Sequence, residues 1–334
     1  MTKVCVTGAG GFIGHHLVNK LKELGHWVRG VDIKYPEFEP TQADEFELLD
    51  LRYFHNALIA TRNVEHVYGL AADMGGMGFI FSNQSQILYS NTKINFNTLE
   101  AARINAVKRY FFSSSACIYP ITLQAGVTNV DLKESDAYPA NPQGMYGWEK
   151  LQMEHLCQHY QREYNIQTRI ARFHNTYGPL GTWRGGREKA PAALCRKVAA
   201  GALSQTKERV PIEVWGDGEQ TRSFIYIDDT VTGIIRIMHS DYAQPLNVGS
   251  AEMISINTLA YLIAQAADVR VDLVHVDGPV GVRGRNSDNT LAEEVLNWKP
   301  SVSLRDGISK TYNWIEFELE RLVCAEGIGV LREL

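Results

Sequence analysis

The run Lys3-Val4-Cys5-Val6-Thr7-Gly8-Ala9-Gly10-Gly11-Phe12-Ile13-Gly14 constrains the fold more than any other stretch. An apolar strand passes into a glycine-dense turn and then into a helix predicted over residues 15–24. Gly25 stops that helix, and Trp27-Val28-Arg29-Gly30-Val31-Asp32 reads as the next strand, which completes a βαβ unit. Gly8, Gly11 and Gly14, spaced GxxGxxG, permit a tight turn, close approach of backbone to a pyrophosphate, and close packing of helix on strand. The helix N-terminus, with Phe12 and Ile13 in its approach, offers free N–H groups and partial positive charge to phosphates. Asp32 can accept hydrogen bonds from ribose hydroxyls, and its charge would repel a 2′-phosphate, so the expected cofactor is NAD rather than NADP.

The alternation continues. A strand over 45–49 ends at Asp50, which can reach an adenine amino group. Another over 66–72 ends in small residues, Ala71 among them, that let a cofactor pass close by. A helix over 91–104, a strand over 109–115 and a strand over 166–173 follow. The repeated order predicts the α/β class, as a Rossmann-type doubly wound parallel sheet. After Tyr177 the texture changes to a loop rich in glycine and arginine. A helix over 190–201, a stretch from Ile225 that rejoins the sheet, and short alternating elements from Ser250 come next. Residues 304–323 form the closing helix, with a frayed tail after Glu326. Residues 1–177, rejoined by 224–249, are expected to bind the cofactor. Residues 178–223 and 250–334 form a smaller, interleaved C-terminal lobe for substrate.

Composition narrows the function classes. A chain of 334 residues with 45% hydrophobic content can build a large core. The net charge of -5 comes with no basic block, which argues against a nucleic-acid partner. No apolar run approaches the ~20 residues that span a bilayer, and the start of the chain lacks the features of a signal peptide. Five cysteines, odd in number and scattered without metal-ligand spacing, fit free thiols, no metal site and a cytoplasmic setting.

The chemistry gathers around Ser113-Ser114-Ser115-Ala116-Cys117, where the buried run Tyr110-Phe111-Phe112 gives way to a loop. In open α/β sheets, ligands bind at the carboxyl ends of strands. Tyr146 and Lys150 share one helical face. With Ser115 they make a proton-handling set for a hydroxyl-bearing carbon: Tyr146 as base, Lys150 favouring the phenolate and bonding a nicotinamide ribose, Ser115 donating to the developing oxyanion. Cys117 is a further acid/base candidate, since a thiol of pKa ~8.5 can move a proton near neutrality. By residue type alone it reads as a small buried hydrophobe, and Lys189 as a solvated surface lysine.

Residues 7–14, Asp32, Ser113-Ser114-Ser115, Tyr146 with Lys150, and residues 172–179 and 221–224 resemble the extended short-chain dehydrogenase/reductase superfamily, within its NAD-dependent epimerase/dehydratase family. Segments 71–79, 185–193 and 281–289 are similar to a plant-type branch that inverts two carbons of a GDP-linked hexose. The likeness runs from Lys3 to about Glu318. It implies a GDP-sugar substrate, transient oxidation at C4 with NAD, proton exchange at C3 and C5, and re-reduction. It assigns the ring protons to Cys117 and Lys189. For substrate binding it implies Gly75, Ser115, Ala116 and Cys117, with Glu188, Lys189 and Ala190, around the sugar, and Asn175 near the sugar or the proximal phosphate. Lys197 and Arg285 would contact the diphosphate or nucleotide, and Gln220, Thr221 and Arg222 match the substrate-contacting segment. It also implies a homodimer through helices that include the one bearing Tyr146. Against that branch, an N-terminal extension is missing and the segment between Lys197 and Trp215 is longer.

Three rival readings make different demands. A 4,6-dehydratase wants an acid pair where Ala116-Cys117 stands, and a 4-epimerase would leave Cys117 and Lys189 idle. A non-catalytic NAD sensor commonly lacks the Tyr/Lys pair present here. Cys5, Cys157, Cys195 and Cys324 read as packing residues, and His174 as structural.

Overall fold

The computed structural model describes residues 1–128, 130–204 and 209–332. Strands β1 (Lys3–Thr7), β2 (Trp27–Asp32), β3 (Glu45–Leu48), β4 (His66–Gly69), β5 (Arg109–Ser115) and β6 (Gln167–Phe173) carry the first half. Helices α1 (Phe12–Glu23), α2 (Phe54–Ala60), α3 (Met77–Ser82), α4 (Gln84–Ile104) and α5 (Met145–Tyr164) lie between them. The second half runs β7 (Asn175–Tyr177), α6 (Ala190–Leu203), β8 (Arg209–Trp215), β9 (Thr221–Tyr226), α7 (Ile227–His239), β10 (Leu246–Val248) and β11 (Met253–Ser255). It closes with α8 (Ile256–Ala266), β12 (Arg270–Val276), β13 (Gly284–Arg285), α9 (Thr290–Leu296) and α10 (Leu304–Glu326).

Seven strands form the main sheet in the order β10-β6-β5-β4-β1-β2-β3, every pair parallel. The chain is thus a doubly wound α/β fold. Helices α2, α4 and α5 pack on one face over a core of Val67, Leu99, Tyr110, Phe112 and Met153. Helices α1 and α7 cover the other face, and that core continues through α6, α8 and α10. Strand β5 is buried from Tyr110 to Ser115, as a parallel strand covered on both faces must be. All carboxyl ends point to one edge, so Gly8 after β1, Leu70 after β4, Ser115 at the end of β5 and His174 after β6 lie on the same side. A smaller sheet has the order β11-β9-β13 with β7 also on β9, and β12 pairs with β8.

Several boundaries differ from expectation. Helix α1 starts at Phe12, because Gly11 is already its N-cap, and α4 starts at Gln84 rather than at residue 91. Within 224–249, the strand that rejoins the main sheet is Leu246–Val248. Ile225 and Tyr226 instead pair with β7 in the smaller sheet, and the helix after them packs against the main one. The expected frayed tail contains a 3-10 turn, Ile328–Arg332, with Leu331 against the core. Cys324 is exposed rather than packed, while Cys5, Cys157 and Cys195 are buried, and all five thiols are free. Of the segment between Lys197 and Trp215, residues 205–208 lie outside the described residues. Among the described residues no helix is long and apolar enough to cross a membrane.

A buried polar knot anchors the end of β5. Ser113 donates to the Gly69 carbonyl at 2.8 Å, and Ser114 donates to the Glu154 carboxylate. Arg172 clamps the same carboxylate through Nε at 3.0 Å and Nη2 at 2.8 Å, with both side chains 3–4% exposed. Removing one partner strands a buried charge, whereas removing both does not. Glu154→Leu should therefore cost about 3–5 kcal/mol in chemical denaturation, and Glu154→Leu with Arg172→Met markedly less.

Candidate active site

The site forms where the turn after β5 meets the first turn of α5. Ser115 ends the strand, and its Oγ accepts the Cys117 N–H at 3.1 Å, capping the short turn Ala116–Ile118. Helix α5 enters against that turn at Gly147, where a Cβ would lie 2.2 Å from the Cys117 carbonyl oxygen and 2.7 Å from Pro142. Glycine is therefore obligatory there if Tyr146 and Lys150 are to stand beside Ser115 and Cys117.

Lys150 is 1% exposed. Its ammonium lies over the rings of Phe112 at 4.8 Å and Tyr146 at 5.5 Å and, among the described residues, makes no hydrogen bond. Burial pushes its pKa down, opposed by the Glu149 carboxylate, which Asn95 engages. Burial pushes the Tyr146 phenol well up, and a charge on Cys117 or Glu149 raises it further; the Ser115 hydroxyl pulls the other way. Lys150 approaches the face of the Tyr146 ring, and in the protein alone the Ser115 hydroxyl is the neighbour that eases ionisation of the phenol.

Cys117 is half-buried beside two cations. Arg285 Nη1 donates to its Sγ at 3.4 Å. Burial alone would push the thiol up, but Arg285, the Ser115 hydroxyl and Lys189 together outweigh it and leave the thiol below its ordinary pKa. Lys189 is the N-cap residue of α6. Its ammonium end is enclosed, which pushes its pKa down against the pull of Cys117. Two loops hold it there. Gly76 N–H donates to the Arg187 carbonyl at 3.0 Å, and a Cβ on Gly76 would lie 2.5 Å from the Glu188 carbonyl oxygen. Arg187 pairs with Asp73 at 2.9 Å and stacks on Phe79 at 3.8 Å.

The remaining expected substrate residues take distinct places. The Glu188 carboxylate is held by Arg196 at 3.0 Å and the Gly186 N–H at 2.7 Å, which leaves its backbone as the part nearest the site. Asn175 Nδ2 donates to the Ser223 carbonyl at 3.1 Å. Gln220 is buried with its amide on the Trp215 carbonyl at 3.0 Å, and Thr221 donates to the Val127 carbonyl at 2.9 Å. Arg222 donates to the carbonyls of Thr221 (2.7 Å) and Val280 (2.9 Å), and burial with Arg285 nearby brings its pKa down to about 9. Lys197 lies farther along α6 with its amine on the Glu213 carbonyl at 2.9 Å. Gly75 packs against Phe79, and Ala190 opens α6. Ala116 opens the turn and is buried. His174 is buried, reaches Asn247 Oδ1 at 3.4 Å, and has its pKa pulled to about 3, so it is neutral and structural.

On the other side of the site the glycine turn fits a dinucleotide. Gly8 has φ +73°, and a Cβ on Gly14 would lie 2.0 Å from the Gly8 carbonyl oxygen. Gly10, not singled out in the sequence, is as constrained, since its Cβ would lie 2.1 Å from the Lys34 carbonyl oxygen. Gly11 caps α1 without a side-chain hydrogen bond, so the N–H groups around Phe12 and Ile13 are available to an anion. A shallow opening beside the turn is lined by Gly10, Gly11 and Phe12. The Asp32 carboxylate is oriented by the N–H groups of Gly10 (2.9 Å) and Ile33 (2.6 Å). Asp50 is held bidentately by Arg52, and the Ala71 N–H donates to Thr7 Oγ1 at 3.2 Å. The unpartnered ammonium of Lys150 completes the fit, because a buried cation wants an acceptor such as a ribose hydroxyl.

A Rossmann-type cradle beside a Ser/Tyr/Lys set defines a dinucleotide-dependent enzyme class. The chain belongs to the NAD dependent epimerase/dehydratase family, whose model matches residues 4–249. It is 53% identical over 321 residues to the GDP-mannose 3,5-epimerase of Arabidopsis thaliana, covering 96% of this chain and 83% of that one. It is 54% identical, with the same coverage, to GDP-mannose 3,5-epimerase 1 of Oryza sativa subsp. japonica. Among solved structures, a UDP-glucose 4-epimerase of Thermotoga maritima with UDP-glucose superposes with a TM-score of 0.82 at 25% identity, over 95% of this chain and 99% of that one. A UDP-glucose 4-epimerase of Thermus thermophilus in complex with NAD gives 0.78 at 24% identity, over 94% and 98%.

The contact at Gly147 can be tested directly. Gly147→Ala should lower unfolding stability by about 1–3 kcal/mol, the usual cost of overpacking. Gly329→Ala, where nothing stands within 4 Å, should be near neutral in the same denaturation series.

Proposed function

We propose that the chain is an isomerase that converts GDP-D-mannose to GDP-L-galactose, with GDP-L-gulose appearing when C5 alone inverts. The observation that carries this reading is the meeting of Cys117 and Lys189 beside Ser115, Tyr146 and Lys150. A 4-epimerase needs no such second acid/base pair. The 53–54% identity to GDP-mannose 3,5-epimerases supports it independently.

The C–H protons at C3 and C5 of an unactivated hexose are not acidic. A ketone at C4 acidifies both. Bound NAD supplies the acceptor for the C4 hydride and returns it, so the overall reaction is redox-neutral. Tyr146 takes the proton of the 4-hydroxyl, with Ser115 easing its ionisation and donating to the C4 oxygen as charge develops there. Lys150 holds the ribose of the cofactor. Gly8, Gly11, Phe12, Ile13 and Gly14 hold its phosphates, Asp32 its adenosine ribose, Asp50 its adenine, and Ala71 lies along its path. Cys117 and Lys189 exchange the ring protons on opposite faces, one removing and the other returning. The lowered pKa of each brings it toward neutrality, where a group can both accept and release a proton. Gly75, Ala116, Asn175, Glu188 and Ala190 surround the hexose. Lys197, Gln220, Thr221, Arg222 and Arg285 line the side of the GDP diphosphate.

We extend the proposal to organisation and setting. Residues 1–177 with 224–249 serve the cofactor, and residues 178–223 and 250–334 the nucleotide sugar. The exposed Tyr89, Met145 and Trp148 on α4 and α5 support a homodimer through those helices. The free thiols support a reducing cytoplasmic setting. The likeness to the plant enzymes supports a place in ascorbate synthesis.

Incubation with GDP-mannose in D2O, without added NAD, should place deuterium at C3 and C5 of the recovered sugar; label at neither carbon rules the function out. Cys117→Ala and Lys189→Ala should each slow that exchange at least 100-fold while NAD binding persists. Exchange at both carbons at the parent rate in either variant would remove that residue from the chemistry.

A further inference from the structure

We propose that Gln124 is a positioning residue that aims Arg285 at Cys117. The inference rests on the reading of Cys117 as a proton carrier and names what keeps its thiolate accessible. Gln124 ends a short 3-10 turn, Ile121–Gln124, and is 1% exposed. Its Oε1 accepts from Arg285 Nε at 2.5 Å. Its Nε2 donates to the carbonyls of Tyr119 and Pro120, both at 3.1 Å, and its own carbonyl accepts the Arg283 N–H at 3.0 Å. One buried amide thus ties the segment leaving the Cys117 turn to the strand that carries Arg285.

The geometry of arginine explains why this matters. The guanidinium is a rigid planar fork, so fixing the direction of Nε fixes where Nη1 points. Nη1 points at Cys117 Sγ, 3.4 Å away. A second force opposes this placement. Arg222 lies close enough to Arg285 for the two cations to repel, which is part of why the Arg222 pKa is depressed. Without an anchor, Arg285 would relieve that repulsion by swinging away from the thiol. The anchor is also neutral. A carboxylate at the same place would hold Arg285 but cancel its charge, and with it the stabilisation of the thiolate. An amide supplies direction and leaves the positive charge to the sulfur.

The test measures the thiol itself and needs no sugar, so its result stands apart from deuterium exchange at C3 and C5. In the full-length chain with Cys324→Ser, which removes the exposed thiol, iodoacetamide alkylation of Cys117 is followed by intact mass against pH. Gln124→Met, similar in volume but without acceptor or donors, should shift the profile to higher pH and slow alkylation at pH 7 about three- to ten-fold. Arg285→Met should do the same, and Gln124→Met added to it should change nothing further, because the glutamine acts only through the arginine. An unshifted profile in Gln124→Met, or a second, additive shift in the double variant, overturns the proposal. Should Gln124→Met fail to fold, Gln124→Glu keeps the acceptor and carries the test. It must slow alkylation at pH 7 by charge cancellation, and an unchanged rate there equally overturns the proposal.

Discussion

The site depends on one close approach, the backbone of α5 at Gly147 against the carbonyl of Cys117. Ser115 and Cys117 come from the end of a strand, Tyr146 and Lys150 from a helix that begins about thirty residues later. Nothing in either element alone brings them within reach. The missing side chain at 147 lets helix and turn touch, and the Ser114–Glu154–Arg172 knot beneath keeps the strand end from shifting. Such a knot costs desolvation and returns it only when every partner is in place. That makes it a poor source of stability and a good source of definition.

The second organising theme is competition between burial and charge. Enclosure by itself raises a thiol and a phenol and lowers an amine. At Lys189 and Lys150 enclosure wins, and the amines are eased toward neutrality. At Tyr146 it also wins, and the phenol is pushed away from ionisation in the protein alone. At Cys117 it loses, because Arg285, Ser115 and Lys189 converge on one sulfur. The same low-dielectric pocket therefore sets different groups to different proton affinities through which neighbours each one meets.

Much of the architecture was legible along the chain. Strands β1, β2 and β5 run over the residues their apolar patterns indicated, since a strand buried on both faces leaves a continuous signature. Helix starts were less legible. The glycine turn leads into α1 three residues early, and α4 begins before its apolar period becomes regular. Of the stretch that begins at Ile225, it is Leu246–Val248 that pairs with the main sheet while Ile225 and Tyr226 pair with β7, a choice between two short strands that only packing makes.

Within the site, the residue types and their spacing determined the glycine turn, the shared face of Tyr146 and Lys150, and the family, because these are local: a turn needs its glycines, and a helix aligns residues four apart. Tertiary structure alone decided that Ser113 and Ser114 are spent on the Gly69 carbonyl and the Glu154 carboxylate. It also decided that Gly10 and Gly147 are as constrained as the glycines of the spacing pattern, and that Arg285 reaches the sulfur of Cys117. The reason is distance along the chain. Arg285 and Cys117 are 168 positions apart, and Gln124 is 161 from the arginine it holds. No periodicity or motif spans such separations; only a folded backbone that has already set its strands in order brings those side chains together.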